Sequence, residues 1–138
     1  MTEKMPILLV EDDMVDARTV ERALRELNVT NPLLKAADGE EALEVLGNGK
    51  DKTPGLILLD LNMPRMDGLQ LLSVLKKHET WRRIPVVVLT TSTEEEDRVR
   101  SFDLSVSGYM IKPVDYSQFV ETMRTINMYW LLSEAADA

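Results

Sequence analysis

Polar and charged residues stand directly after the short apolar runs of this chain. In chain order they are Glu11, Asp12, Asp13, Asp60, Thr90 and Lys112. Their four carboxylates and one ammonium sum to a charge of −3, which a divalent cation reduces to −1. Carboxylates without His or Cys beside them select Mg²⁺ or Ca²⁺, and an aspartate can attack phosphorus to form an acyl phosphate. The residue types therefore predict a cation site at which an aspartate accepts a phosphoryl group, with a hydroxyl and an ammonium to hold it.

These residues meet only if the apolar runs are strands of one parallel sheet. Ile7–Val10, Leu56–Leu59 and Val86–Leu89 are short, continuous and rich in branched residues, as is typical of strands buried on both faces. Leu33–Leu34 and Tyr109–Ile111 are weaker strand candidates. The carboxyl ends of parallel strands share one edge of the sheet, where open α/β folds bind ligands. We therefore expect the polar residues to converge there.

Apolar residues recur at helical spacing between these runs. The predicted faces are Ala17, Val20, Leu24 and Leu27; Ala42, Leu43 and Leu46; Leu69, Leu72 and Leu75; Val99 and Phe102 in a weak helix around Glu94–Phe102; and Phe119, Met123, Ile126 and Trp130. Five strands alternating with five helices predict an α/β fold, a doubly wound sandwich around a parallel sheet. A single acid after a strand is ordinarily a helix N-cap, and Asp13 is open to that interpretation.

Composition excludes several classes of function. The chain has 138 residues, the size of one domain, and a net charge of −8, which argues against generic binding to nucleic acid or to an anionic membrane. It has no cysteine and one histidine, so thiolate and multi-histidine metal sites are excluded. That histidine, His78, stands in a charged stretch and is expected at a solvated helix end. No secretion signal or membrane span is visible, so we expect a cytoplasmic protein.

The motifs resemble the receiver domains of two-component response regulators, the CheY-like family. The matching segments are Leu9–Asp13, Leu59–Pro64, Asp67-Gly68, Val88–Thr91 and Gly108–Pro113. The resemblance covers residues 6 to about 127 and implies a flavodoxin-like (βα)5 fold with strand order 2-1-3-4-5. It also implies a single receiver domain over 1–138, with a C-terminal helix extension from about 128 to 138. We expect no output domain, so that signals pass to a protein partner or along a phosphorelay.

The resemblance also implies a role for each site residue. Asp60 is the expected phospho-acceptor, and Mg²⁺ is the expected cofactor, bound by Asp12, Asp60 and the Asn62 backbone carbonyl, with Glu11 acting through water. Thr90 is the expected switch hydroxyl, Tyr109 the aromatic that turns inward, and Lys112 the phosphoryl-binding cation. Lys112-Pro113 is expected to be a cis peptide. The expected phosphoryl donor is a sensor histidine kinase, and the acyl phosphate is expected to hydrolyse slowly on its own.

A narrower resemblance concerns the partner. Trp81–Ser92 and Trp130 are similar to segments of the small response regulators that serve phytochrome-type histidine kinases. The chain departs from chemotaxis-type members at Val114, where those proteins usually carry Phe, so contacts with a chemotaxis motor are not expected.

The apolar run Met128–Leu132 points all round a helix, whereas a lone helix on a small domain buries one face. We expect Tyr129, Trp130 and Leu131 to form a homodimer interface together with the weak helix near residues 94–102. The alternative is a tail packed on its own domain.

Two other functions compete with the receiver. A phosphatase of the haloacid dehalogenase type also uses a strand-end aspartate with Mg²⁺, but its motif resembles Asp-x-Asp, whereas Asn62 stands two residues after Asp60. A pseudo-receiver would bind partners without being phosphorylated. The intact acidic cluster, Thr90 and Lys112 favour the true receiver.

Overall fold

The structure is a computed structural model that describes residues 5–26, 29–49, 53–61, 68–90, 106–111 and 115–125. Strands and helices alternate along these ranges. The strands are β1 (Ile7–Val10), β2 (Leu33–Ala36), β3 (Leu56–Asp60), β4 (Val86–Thr90) and β5 (Gly108–Ile111). The helices are α1 (Met14–Glu26), α2 (Gly39–Gly47), α3 (Gly68–Lys77) and α4 (Tyr116–Thr125), and a 3₁₀ turn covers Trp81–Arg83.

The five strands form one sheet in the order β2-β1-β3-β4-β5, and each neighbouring pair is parallel. This confirms the predicted flavodoxin-like fold and its strand order. The register pairs Val10 with Leu59, and Leu59 with Val88. The three central strands therefore end together at one edge of the sheet.

Burial follows the position of each strand in the sheet. Every residue of β1 and β3 is buried, whereas the edge strands β2 and β5 each bury one residue fully. Continuous apolar runs suit strands that are covered on both faces, and edge strands tolerate polar residues because one side stays exposed. This explains why the sequence signal is strong for the central strands and weak for the two edges.

The core is divided by the sheet into two clusters. On one face α1 and α4 pack against the sheet, with Phe119 fully buried beside Ile7 and Leu9. On the other face α2 and α3 pack against Leu8 and Val10. Alternate residues of one strand thus serve opposite layers, as a sheet covered on both sides requires.

The helix faces differ in detail from the predicted ones. In α1 the buried residues are Val20, Ala23 and Leu24, and in α3 Leu71, Leu72 and Leu75 are buried together with Gly68. The prediction omitted Ala23 and Leu71 because it followed a single row of i, i+3 and i+7 positions, whereas a helix on a flat sheet buries a stripe about 100° wide. The predicted helix near 94–102 and the predicted face residues Leu27, Ile126 and Trp130 lie outside the described residues.

The histidine at the end of α3 has a structural role that its charged surroundings did not predict. Nδ1 of His78 accepts the backbone N–H groups of Thr80 at 3.1 Å and of Trp81 at 3.2 Å. Its ring also stacks on the Trp81 indole, with centroids 3.8 Å apart and planes 11° from parallel. The ring of His78 thus joins the end of α3 to the 3₁₀ turn that follows it.

The first residue of α3 approaches the backbone of β3 very closely. A Cβ built on Gly68 would lie 2.6 Å from the Cα of Leu61 and would overlap the carbonyl oxygen of Asp60. Both obstacles are backbone atoms, which cannot move aside as a flexible side chain does. The glycine is therefore needed for α3 to start against the end of β3.

We expect Gly68→Ala to lower the free energy of unfolding by about 1–3 kcal/mol, the usual range for overpacking a tight contact. Urea denaturation followed by far-UV circular dichroism measures it. Gly47→Ala is the matched control, because a Cβ at Gly47 meets nothing within 4 Å and the residue ends α2. It should leave stability unchanged or raise it by up to about 1 kcal/mol through helix propensity. Equal stabilities for the two variants would contradict the close approach.

Candidate functional site

Three acidic side chains meet at the carboxyl edge of the sheet. Carboxylate oxygens of Glu11, Asp12 and Asp60 all lie within 4.8 Å of one another. Because Val10 pairs with Leu59 across β1 and β3, the residues that follow them stand side by side. Asp60 is 1% exposed and Glu11 7% exposed, whereas Asp12 is exposed to solvent. The sequence prediction that these three residues converge is confirmed.

The turn after β1 is fixed by hydrogen bonds to its backbone. The N–H of Glu11 donates to the carbonyl of Ala36 at 3.0 Å, and Oε1 of Glu11 accepts the N–H of Asp13 at 3.1 Å. Oδ1 of Asp13 accepts the N–H groups of Val15 at 2.8 Å and Asp16 at 3.1 Å, which makes Asp13 the N-cap of α1. The interpretation of Asp13 as a cap is therefore correct, and it leaves Glu11 and Asp12 for the cluster.

The end of β3 is held from two sides. The N–H of Leu61 donates to the carbonyl of Leu89 at 3.2 Å, and the N–H of Gly68 donates to the carbonyl of Leu61 at 3.2 Å. These bonds tie β3 to β4 and to the start of α3 directly after Asp60. The importance of Gly68 did not follow from strand and helix spacing. Its only sequence signal is the Asp67-Gly68 pair, a common turn dipeptide.

The donor set of the cluster fits a hard divalent cation. Three carboxylates bring a charge of −3 into a space less than 5 Å across, and two of them are buried. Buried charges need a partner of opposite sign or a metal ion, and oxygen ligands suit Mg²⁺, Mn²⁺ or Ca²⁺. Glu11, Asp12 and Asp60 can thus hold a divalent metal at the end of β1 and β3.

Two members of the cluster border a cavity of about 400 Å³ that is lined by residues of α1, β2 and α2. Glu11 and Asp12 line it together with the basic side chains of Arg18 and Lys35. Lys35 also forms an ion pair with Glu21, which lines the same cavity. The exposed side of the cluster therefore borders a cavity whose lining combines charged side chains with apolar ones such as Met14 and Ala17.

Two further predicted site residues belong to the neighbouring strands. Thr90 ends β4, one residue beyond Leu89, the partner of Asp60 in the ladder, and its own backbone partner is Ile111. The described part of Thr90 thus lies at the same edge as the carboxylates. Tyr109 lies in β5, is half-buried and packs against the core cluster on the α2 and α3 face.

The remaining predicted positions lie outside the described residues. They are Asn62, Lys112, the Lys112-Pro113 peptide, and the expected interface residues Tyr129, Trp130 and Leu131.

Burial lowers the pKa of the half-buried Lys76 near the end of α3. Gly68, the first residue of that helix, is the one that contacts the end of β3, and α3 is roughly 15 Å long. Lys76 is thus remote from the carboxylates and plays no part in the cluster.

Comparison with known proteins identifies the family to which the chain is similar. A model of the response regulator receiver domain family matches residues 7–124. The chain is 41% identical over 129 residues to the probable methanogenesis regulatory protein FilR2 of Methanothrix harundinacea, covering 91% of this chain and 83% of that protein. It is 37% identical over 129 residues to the response regulator Rcp1 of Synechocystis, covering 91% of this chain and 88% of that protein.

Two solved structures extend the comparison to the fold. The bacteriophytochrome response regulator RtBRR superimposes with a TM-score of 0.85 at 38% identity, covering 92% of this chain and 80% of that one. The Mn²⁺-bound form of Rcp1 superimposes with a TM-score of 0.76 at 36% identity, covering 94% and 96% of the two chains.

Among the helices that the structure describes, none combines the length and the apolar character that crossing a bilayer requires.

The matched family, the strand order and the carboxylate cluster all point to the same assignment. The chain belongs to the response regulator receiver domain family, the phospho-accepting signalling modules of two-component systems.

Proposed function

We propose that Asp60 is the residue that accepts the phosphoryl group. Receiver domains are phosphorylated on an aspartate, and Asp60 is the member of the carboxylate cluster that ends a fully buried central strand. Asp12 is exposed and lies in the turn after β1, and Oε1 of Glu11 accepts a backbone N–H of that turn. The single observation that carries the proposal is the meeting of these three carboxylates at the strand ends.

The transfer step is a displacement at phosphorus. A carboxylate oxygen of Asp60 forms a bond to the phosphorus of a phosphohistidine, and the phosphorus–nitrogen bond breaks. The electron pair returns to the imidazole of the kinase, which takes up a proton from solvent. The product is an acyl phosphate on Asp60, which water later hydrolyses.

We assign Mg²⁺ as the cation, with Asp12 and Asp60 as direct ligands, Glu11 acting through water and Asn62 contributing its backbone carbonyl. The bound cation offsets the charge that the phosphoryl oxygens add to the cluster. The oxygen-only donor set supports this assignment, and the Mn²⁺-bound form of Rcp1 shows that a similar chain takes a divalent ion.

The switch residues are assigned to the adjoining strands. We propose that the Thr90 hydroxyl and the Lys112 ammonium bind the phosphoryl oxygens and that Tyr109 turns inward when Thr90 moves. The position of Thr90 at the shared edge and the half-buried site of Tyr109 support these roles. Phosphorylation then shifts the equilibrium between two conformations of the domain, because the phosphoryl group makes more favourable contacts in one conformation than in the other.

The proposed partners follow from the chemistry of the donor and from the relatives. Receiver domains act with histidine kinases and with downstream targets, and we propose a phytochrome-type kinase because RtBRR is a bacteriophytochrome response regulator. Such a kinase forms phosphohistidine from ATP, and we therefore propose that the two proteins meet in the cytoplasm. We propose a receiver core over about residues 6–127, supported by the family match over 7–124, with a helical extension over 128–138.

Incubation with acetyl phosphate and Mg²⁺ should add the mass of one phosphoryl group to the intact protein. Asp60→Ala should show no adduct, because the nucleophile is removed. Asp13→Asn is the matched control and should still be phosphorylated, since Asn caps α1 as well as Asp does. An adduct that persists in Asp60→Ala would contradict the assignment, and continuous turnover of many phosphate esters would favour a phosphatase.

Metal binding should depend on Asp12 and not on its neighbour Asp13. Millimolar Mg²⁺ should raise the thermal midpoint of the wild-type protein, since a ligand that binds the folded state stabilises it. Asp12→Asn should weaken Mg²⁺ affinity by about tenfold or more, since the loss of even an outer-shell partner of a metal ligand costs about 10- to 100-fold. Asp13→Asn removes the same charge from the same turn but keeps the cap. Equal losses in both variants would mean that bulk charge, not ligation, is responsible.

We also propose a homodimer formed through Tyr129, Trp130 and Leu131, because consecutive apolar residues cover every side of a helix. Size-exclusion chromatography with light scattering should then give twice the chain mass for the wild type and the chain mass for Trp130→Ala. Met14→Ala is the control: Met14 is 68% exposed on α1, and its removal should leave the mass unchanged. A wild-type monomer would sink the proposal.

A further inference from the structure

The backbone of Ile111, the last residue of β5, is bound on its open side by one side chain. The N–H of Ile111 donates to Oε1 of Gln118 at 2.5 Å, and Nε2 of Gln118 donates to the carbonyl of Ile111 at 2.9 Å. The N–H and C=O of one strand residue point to the same side. The amide of Gln118 therefore occupies the position of a further strand at this edge of the sheet.

The helix that carries Gln118 is itself fixed at its start. Oδ1 of Asp115 accepts the N–H of Gln118 at 2.7 Å, and the carbonyl of Asp115 accepts the N–H of Phe119 at 3.0 Å. Asp115 is thus the N-cap of α4, and Phe119 is buried in the core. Gln118 stands at the third helical position, where a Gln ordinarily bonds back to the N-cap backbone in a capping box. Here its amide is directed to β5 instead.

The position of this contact along the chain gives it a functional meaning. Ile111 is covalently followed by Lys112, the proposed phosphoryl-binding cation. β5 is an edge strand with one paired neighbour, so its end has half the backbone support that the ends of β3 and β4 have. The two hydrogen bonds from Gln118 hold the backbone of Ile111, the residue directly before Lys112 in the chain.

We propose that Gln118 is a positioning residue of the phosphoryl site, which holds the backbone at Ile111 so that Lys112 reaches the phosphoryl group. This inference rests on the proposed function of Asp60 and Lys112. Gln118 does not touch the reacting atoms; its effect passes through the strand end and the lysine that follows it.

The test compares phosphorylation rates of the full chain with acetyl phosphate and Mg²⁺, measured by intact mass over time. Gln118→Met keeps the length of the side chain and loses both hydrogen bonds, and it should slow phosphorylation by about three- to tenfold, as two ordinary hydrogen bonds allow. Gln118→Glu keeps the acceptor for the Ile111 N–H and loses the donor, so its rate should lie between. Ser117→Ala, an exposed neighbour on α4, should match the wild type.

A double-mutant cycle separates positioning from a merely structural role. In a Lys112→Ala background, Gln118→Met should cause no further slowing, because the group that it positions is absent. The Mg²⁺-induced rise of the thermal midpoint should also be unchanged in Gln118→Met, since the carboxylates belong to β1 and β3. The same slowing in both backgrounds, or a wild-type rate in Gln118→Met, would overturn the inference. A wild type that is never phosphorylated would instead defeat the proposed function, and the inference with it.

Discussion

Three carboxylates within 4.8 Å of one another repel, and the burial of Glu11 and Asp60 keeps water from screening that repulsion. The fold holds them there because the residues just before them pair in register across β1 and β3. Only a rigid support can keep like charges so close. A divalent cation held by these three carboxylates would offset the repulsion between them, and their oxygen-only donor set suits such an ion.

The support for this arrangement is apolar and continuous. β1 and β3 are buried over their whole length, with α1 and α4 covering one face and α2 and α3 the other. A core packed from both sides cannot let one strand slide past another, because a shift by one residue would turn every side chain to the wrong layer. The packing of the apolar strands thus fixes the positions of Glu11 and Asp60 at their ends.

The fold and the carboxylates were predictable because both depend on patterns that few other folds produce. The short branched runs Ile7–Val10 and Leu56–Leu59 are typical of strands buried on both faces, and parallel strands bring the residues after them to one edge. Whether Asp13 caps a helix or binds a metal could be decided only from the structure, because an acidic residue after a strand can do either. Its bonds to the N–H groups of Val15 and Asp16 decide for the cap.

Contacts that depend on backbone geometry gave little or no signal in the sequence. Gly68 matters because its Cα lies against the backbone at Asp60, and a turn dipeptide does not reveal that distance. Gln118 stands at the third position of a helix, where a Gln is common because it can form a capping box. The sequence pattern therefore gives no sign of its hydrogen bonds to β5. Ala36 supports Glu11 through its carbonyl oxygen, which any residue would supply.

The two edge strands, β2 and β5, make different side-chain contacts, and the difference matches the residues that follow or flank each strand. At β2 the exposed Lys35 pairs with Glu21, and a charged side chain on an edge strand discourages pairing with another chain. The β2 edge carries no proposed phosphoryl-binding group, so its strand end needs no precise positioning. A solvated ion pair, which adds little to stability, is compatible with that. At β5 the edge leads directly into Lys112, and an amide with two directed hydrogen bonds fixes the strand end as an ion pair does not. The last residue of β5 is thus held by two directed hydrogen bonds, whereas at β2 the described contact is an ion pair between Lys35 and Glu21 of α1.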